Sequence, residues 1–485
     1  MKNARFVGID IGTTSVKAAV VDETGRVVSR FSQSYATQRR AGGIVEQDPS
    51  DWLRLVQQSL AEMDLEGVVA VGLTSQVNTH VFMTENGEAL LPAIIWQDGR
   101  AQSVATKLNS QVATEDKVKW WGGPMPIDAS HACSRMAWVA MNEPDIWERT
   151  RWVMLPKDYV AFHLTGVPAT DAVSSVGLVD QNLEYVPEIL DLVSGARDRV
   201  APLHGVMQSV SRIKDGPLRG LPLICGTMDA WAGLVGTGGA QNGTTMYLSG
   251  TSEILGISSQ TVVPTPGAIV FPDYDGIRLH AAPTQSGGDA KMWFAASHGL
   301  TLDEMTALVA RTPASPATPM FLPQLQGERA PLWDADLRAA FFGVGRATGQ
   351  GDFARAVYEG VAMAARMGLE TLQASAAVKS DVILCGGGGF QSDPWNQIRA
   401  DILGAELHVL ASGEPGVLGA AMMAGVGAGH FAHITDALGA LATYDRTYSP
   451  DPNLRVRSED LYGIYRDAIM QTGDLGKRIT QVNAR

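Results

Sequence analysis

The chain has 485 residues, 45% of them hydrophobic and 18% charged, and a formal net charge of −13. That length is too great for one compact core and predicts two large domains, with an ordinary globular composition. The acidic balance excludes a surface built for nucleic acid or for an anionic membrane, since both require basic stripes.

In chain order, residues 6–11 and 16–21 are β-rich, and 26–28 follows the Glu23-Thr24-Gly25 turn as a third strand, an antiparallel meander. Its first turn lies in Gly8-Ile9-Asp10-Ile11-Gly12-Thr13-Thr14-Ser15. Such a turn offers consecutive N–H groups and hydroxyls to an anion, with Asp10 as a carboxylate for a divalent cation. A Walker loop would instead join strand to helix and end in Lys-Ser/Thr, and no GxxxxGK[ST] occurs. Asp48-Pro49-Ser50-Asp51 reads as a helix start, with an apolar stripe at Trp52, Val56, Leu60 and Met63. Residues 68–73 form a buried strand ending in the polar run Thr74-Ser75-Gln76, at the end where α/β sheets place ligands. A short apolar run at 94–96 precedes Gln97-Asp98-Gly99-Arg100.

The strand at 221–225 leads into Gly226-Thr227-Met228-Asp229-Ala230-Trp231, where Asp229 is a candidate base for a hydroxyl or, alternatively, a helix N-cap. The strand at 246–249 presents a second turn, Leu248-Ser249-Gly250-Thr251-Ser252, and 254–257 returns from it. The second half therefore opens as the first does. Residues 381–385 run into Gly386-Gly387-Gly388-Gly389-Phe390, and a helix begins near Pro394. That glycine run lacks the spacing of a dinucleotide loop. The glycine-rich 236–243 stretch sets a domain boundary near 240, dividing 1–240 from 241–485. Cys133, Cys225 and Cys385 have no CxxC spacing, so neither a disulfide framework nor a zinc site is expected and a cytoplasmic setting fits. No secretory apolar region opens the chain, and the longest apolar stretch, 417–428, is too short and glycine-rich to span a bilayer. Two phosphate-type turns, a metal carboxylate and a base predict phosphoryl transfer from ATP to a small alcohol.

Segments in the order GIDIGTTSVKAAVVD, EQDPSDW, AIIWQDGRA, LPKDYVAFHLTGVPATD, GTMDAWAG, SGTSE, FLPQLQGERAPLWD, AFFGV, AVYEGVA and GGGGFQSDPWNQIRADILG resemble the FGGY carbohydrate kinases of the actin/hexokinase superfamily. The resemblance covers most of the chain and is nearest to the xylulose kinases. It implies an α/β fold of two ribonuclease-H-like domains with a catalytic cleft between them. The N-terminal domain would bind sugar and carry the first phosphate turn and the base; the C-terminal domain would bind nucleotide. A homodimer is the habit of the family.

Asp10 is expected to hold Mg²⁺, through water because Mg²⁺ sheds its hydration reluctantly. Gly12, Thr13 and Thr14 would meet the transferring phosphate, and Gly250 and Thr251 the phosphates from the second domain. Gly287 and Gly288 resemble a further nucleotide segment. Gly386 and Gly387 would let adenosine approach the backbone, and Asn396 would contact the purine. Lys17 could add positive charge there or, since it alternates with apolar neighbours, be a solvated strand lysine. The acceptor would meet Gln76, Asn78, Trp96, Asp98, Arg100, Asp171 and Asp229, with core packing the alternative for Trp96 and turn capping for Asp171. His80, His131 and His163 lack metal-ligand spacing.

Xylulose kinases usually carry a histidine where Asn78 stands, so the expected acceptor, a ketopentose such as D-xylulose, has rivals in glycerol, erythritol, ribulose and gluconate. A different class, a non-catalytic sugar- or nucleotide-binding regulator, would need a missing base or broken turns, and both turns, Asp10 and Asp229 are in place.

Overall fold

Phe6, Val7, Ile9 and Ile11 are fully enclosed, and β1 (Arg5–Ile11) accordingly forms inside a six-stranded sheet. The computed structural model describes residues 4–483. β2 (Ser15–Asp22) and β3 (Val27–Ser34) continue from β1 as an antiparallel meander. β3 runs well past the 26–28 expected, because Ser29, Ser32, Gln33 and Ser34 pair with β2 through the backbone while showing no apolar signal. On the other side, β4 (Val68–Ser75) lies parallel to β1. β6 (Pro222–Met228) is parallel to β4, and β5 (Ser209–Arg212) closes that edge antiparallel to β6. The Asp48 side chain accepts from Ser50 N at 2.9 Å and starts α1 (Pro49–Glu62), whose Trp52, Leu55, Val56 and Leu60 join the core formed with the sheet.

A second sheet repeats this logic. β7 (Thr245–Ser249) and β8 (Glu253–Ser258) form an antiparallel hairpin around the second turn. β9 (Leu279–Thr284) flanks β8, β10 (Val382–Gly386) lies parallel to β7, β11 (Glu406–Leu410) parallel to β10, and β12 (Tyr444–Tyr448) closes the row antiparallel. The 27-residue helix Gln350–Ala376 packs Leu369 and Leu372 against Leu255 and Ile383 of this sheet's core.

The chain divides into two contact units, and the first crossing falls between Ala240 and Gln241. The second expected domain, 241–485, is corrected: Val270–Leu279 and Glu414–Thr443 belong with the first unit. For Glu414–Thr443 the reason is the apolar stretch, which forms the buried helix Pro415–Gly427. This helix meets β1, β4 and the helix Asp229–Gly236 backbone to backbone. A Cβ at Gly8 would overlap the Val417 carbonyl, one at Gly72 that of Ala420, and one at Gly419 that of Ala232. Gly419→Ala is therefore expected to destabilise the first unit by about 1–3 kcal/mol, seen as a lowered first transition in calorimetry; an unchanged profile would contradict this close seating. Among the described residues no helix is long and apolar enough to cross a membrane.

Candidate active site

The C-terminal ends of three parallel strands, β1, β4 and β6, carry the polar residues of the first unit. Asp10 pairs in register with Thr74, and Met228 with Ser75, so Asp10, Gln76 and Asp229 emerge at one end of the sheet. The β6 ladder slips between Ile224 and Thr227. There Gly226 takes φ +65°, and a Cβ on it would overlap the Leu73 carbonyl. Asp229 then opens the helix Asp229–Gly236 as its first residue, with Met228 at the cap position, and its Oδ1 accepts from Ala230 N at 2.8 Å. The N-cap alternative is thus off by one residue.

Asp10 is partly open to solvent, but its Oδ1 is enclosed and has no hydrogen-bond partner among the described residues. Thr74 Oγ1 and Gln76 Oε1 are likewise enclosed and unpartnered. Buried polar atoms are nearly always paired, so three orphans on adjacent strand ends mark a place kept for something else. Desolvation, and next the charge of Asp229, push the Asp10 carboxyl up to about 7, with Lys17 opposing and Glu414 assisting. Lys17 is not simply solvated, since its Nζ lies 2.7 Å from Glu414 Oε2. The first turn of helix Pro415–Gly427 abuts the carboxylate: a Cβ at Gly416 would stand 2.7 Å from Asp10 Oδ2.

In the first turn, the Tyr35 hydroxyl donates to the Gly12 carbonyl, and Gln47 Nε2 donates to the Thr13 carbonyl at 2.7 Å. Gly12 N closes on Ser15 O at 3.1 Å. The carbonyls are thus held by the protein, while the Thr13 and Thr14 N–H groups donate to nothing among the described residues. Trp96 Nε1 donates to Thr13 Oγ1 at 2.9 Å, and Gln76 Nε2 to Gln47 Oε1 at 2.8 Å, so Trp96, Gln76 and Thr13 are brought together.

In the second unit, Gly250 N bonds Ser252 O at 2.9 Å, while Gly288 N and Asp289 N bond Gly250 O and Thr251 O, each at 3.0 Å. Gly287 and Gly288 seat against this turn so closely that a Cβ on Gly287 would lie 2.7 Å from Thr251 O. Gly386 pairs with Leu248, and Gly387, at φ +99°, leaves no room for a Cβ beside Ser249 O, at 2.5 Å. All six glycine and threonine positions expected from this half therefore gather around the end of β7.

Two family models cover most of the sequence: the N-terminal domain of the FGGY family of carbohydrate kinases matches residues 5–236 and the C-terminal domain matches 245–428. The chain belongs to the FGGY family of carbohydrate kinases. It is similar to a xylulose kinase of Escherichia coli (strain K12), 28% identical over 87% of this chain and 90% of the relative. Its fold is similar to the ligand-bound xylulose kinase of Lactobacillus acidophilus, with a TM-score of 0.87 at 23% identity over 97% and 98% of the two chains. A gluconate kinase of the same organism is as near, with a TM-score of 0.86 at 22% identity over 97% and 99%. The two scores are so close that fold does not choose the sugar.

Within this carbohydrate kinase, four expected ligand residues have other employment. Asp98 is buried; its Oδ2 accepts from Val45 N at 2.6 Å and its Oδ1 from Arg100 Nε at 2.9 Å. Arg100 also reaches Glu46 Oε1 at 2.7 Å and lies over the Trp138 ring, so the pair forms an internal brace rather than an open sugar contact. Asp171 is fully enclosed, with Oδ2 2.8 Å from Lys157 Nζ and Oδ1 accepting from Ser174 N, which agrees with the turn-capping alternative. Asn396 has no exposed surface for a purine; its Nδ2 donates to Phe390 O at 2.9 Å and pins the glycine loop from behind. Asn78 takes a left-handed φ of 52°, and its Nδ2 donates to Ser130 Oγ at 3.2 Å. It lines a cavity with His80, Asp158, Ser174 and Tyr185.

Sequence reasoning missed Gln47, Glu46 and Lys157. Each lies inside a quoted family segment, EQDPSDW or LPKDYVAFHLTGVPATD, but nothing local marks it as buried and paired. His80 and His131 are buried packing residues, held below the ordinary histidine range first by desolvation.

Proposed function

We propose that this FGGY kinase transfers the γ-phosphoryl group of ATP to a hydroxyl of a ketopentose, D-xylulose being the acceptor. The observation that carries the reading is the enclosed, unpartnered Asp10 Oδ1 beside Asp229 at the parallel strand ends. A carboxylate held in that state, with its pKa raised by burial and a second carboxylate, fits a divalent cation. Asp10 would hold Mg²⁺, through water, and the cation when bound supplies positive charge against the phosphate oxygens. Asp229, oriented by the Ala230 N–H, accepts the proton of the acceptor hydroxyl. A new O–P bond forms as that O–H bond is lost, the bond from Pγ to the leaving oxygen breaks, and ADP departs. The free N–H groups of Thr13 and Thr14 and the turn at Gly250 and Thr251 donate to phosphate oxygens. Gln76, Asn78 and Trp96 orient the acceptor.

The ketopentose assignment draws on the xylulose kinase named among the relatives. In a coupled ADP-release assay, D-xylulose is expected to exceed ribulose, glycerol, erythritol and gluconate in kcat/KM by at least about tenfold, because a site built for particular hydroxyls rejects analogues that lack them. A higher kcat/KM for any of the other four overturns the ketopentose reading and leaves the family intact.

A further inference from the structure

Lys157 has no exposed side-chain surface, yet it lies between two carboxylates: its Nζ is 2.6 Å from Asp158 Oδ1 and 2.8 Å from Asp171 Oδ2. Burying such a cluster sacrifices hydration that an apolar replacement would not, so its presence is poor evidence for stability and calls for another role. Its contacts lead to the strand ends. Asp171 Oδ1 accepts from Thr227 Oγ1 at 2.9 Å, and Ser174 Oγ lies 3.2 Å from the same hydroxyl. Lys157 N donates to Ser75 Oγ at 3.3 Å. Thr227 stands two residues before Asp229, and Ser75 one before Gln76. The β4–β6 ladder slips immediately upstream of Thr227, at Gly226. A side-chain anchor is therefore placed where the backbone ladder is interrupted.

We propose that Lys157, Asp158, Asp171 and Thr227 form a positioning cluster that fixes the end of β6 and thereby aims the Asp229 carboxylate at the acceptor hydroxyl. None of the four touches a reacting atom; they act through Asp229, and the inference rests on Asp229 being the base. Small displacements of a catalytic group are costly because the reacting geometry is narrow.

The test compares Thr227→Val, which keeps shape and removes the hydroxyl, with Thr227→Ser, which restores it, and with Asp229→Ala. Thr227→Val is expected to lower kcat by about 10- to 100-fold with KM for ATP unchanged and a melting temperature near that of the parent, and Thr227→Ser to recover most of the loss. A kcat within twofold of the parent for Thr227→Val, or no recovery with Thr227→Ser, overturns the cluster. If Thr227→Val does not fold, Ser174→Ala decides in the same way, with a several-fold fall in kcat expected and an unchanged kcat overturning the proposal. Asp229→Ala separates the two readings. Activity in that variant removes the base itself; an inactive Asp229→Ala beside a fully active Thr227→Val removes the positioning cluster alone.

Discussion

Asp229→Ala is expected to lower phosphoryl transfer by about two to four orders of magnitude while ATP binding stays near that of the parent. The carboxylate is the proton acceptor in the proposed step, and it opens a helix whose first N–H fixes one of its oxygens. The turns at Thr13–Thr14 and Gly250–Thr251 contribute no side chain to that proton transfer, so nucleotide affinity measured by calorimetry should survive. Removing the negative charge also relieves Asp10, whose carboxyl Asp229 helps to raise. A tighter or unchanged nucleotide with a silent chemical step is thus the expected signature. Transfer at a rate close to the parent's would remove Asp229 from the mechanism.

Asp10→Asn is expected to abolish measurable transfer and to remove the fall in stability with rising pH that Asp10 imposes. Desolvation chiefly pushes the folded Asp10 carboxyl up to about 7, from an ordinary value of 3.8. Between those values the folded chain holds a proton that the unfolded chain has released. Stability therefore falls as pH rises through this window, and the penalty is complete above it. Asparagine carries no such penalty. In metal-free buffer the variant should exceed the parent at pH 8 by about 1–3 kcal/mol, a range kept below the full shift because Asp10 is partly exposed, and the two should converge near pH 4. Adding Mg²⁺ should raise the parent's melting temperature at pH 8 and leave the variant's unchanged. A parent that is the more stable of the two at pH 8 without metal would contradict the raised carboxyl, and a variant equally stabilised by Mg²⁺ would remove Asp10 as the metal residue.

Much of this kinase was legible from local pattern. Apolar runs at 6–11 and 68–73 announce strands, Asp48-Pro49 announces a helix start, and Gly12-Thr13-Thr14 and Gly250-Thr251 announce turns between paired strands, because each signal is written within a few consecutive residues. The order of the family segments was enough to read two α/β halves and a carbohydrate kinase. The helix Pro415–Gly427 was another matter. It is apolar on every side, so no stripe tells which sheet it will cover; Gly8 and Gly72, more than 300 residues upstream, decide that by allowing backbone contact. The same holds for charged groups. Asp98, Arg100 and Asp171 look like sugar ligands in one dimension, and only the arrival of Glu46 beside Arg100 and of Lys157 beside Asp171 shows that their charges are already spoken for. Burial and pairing depend on which distant residue arrives, and a linear pattern holds no record of that partner.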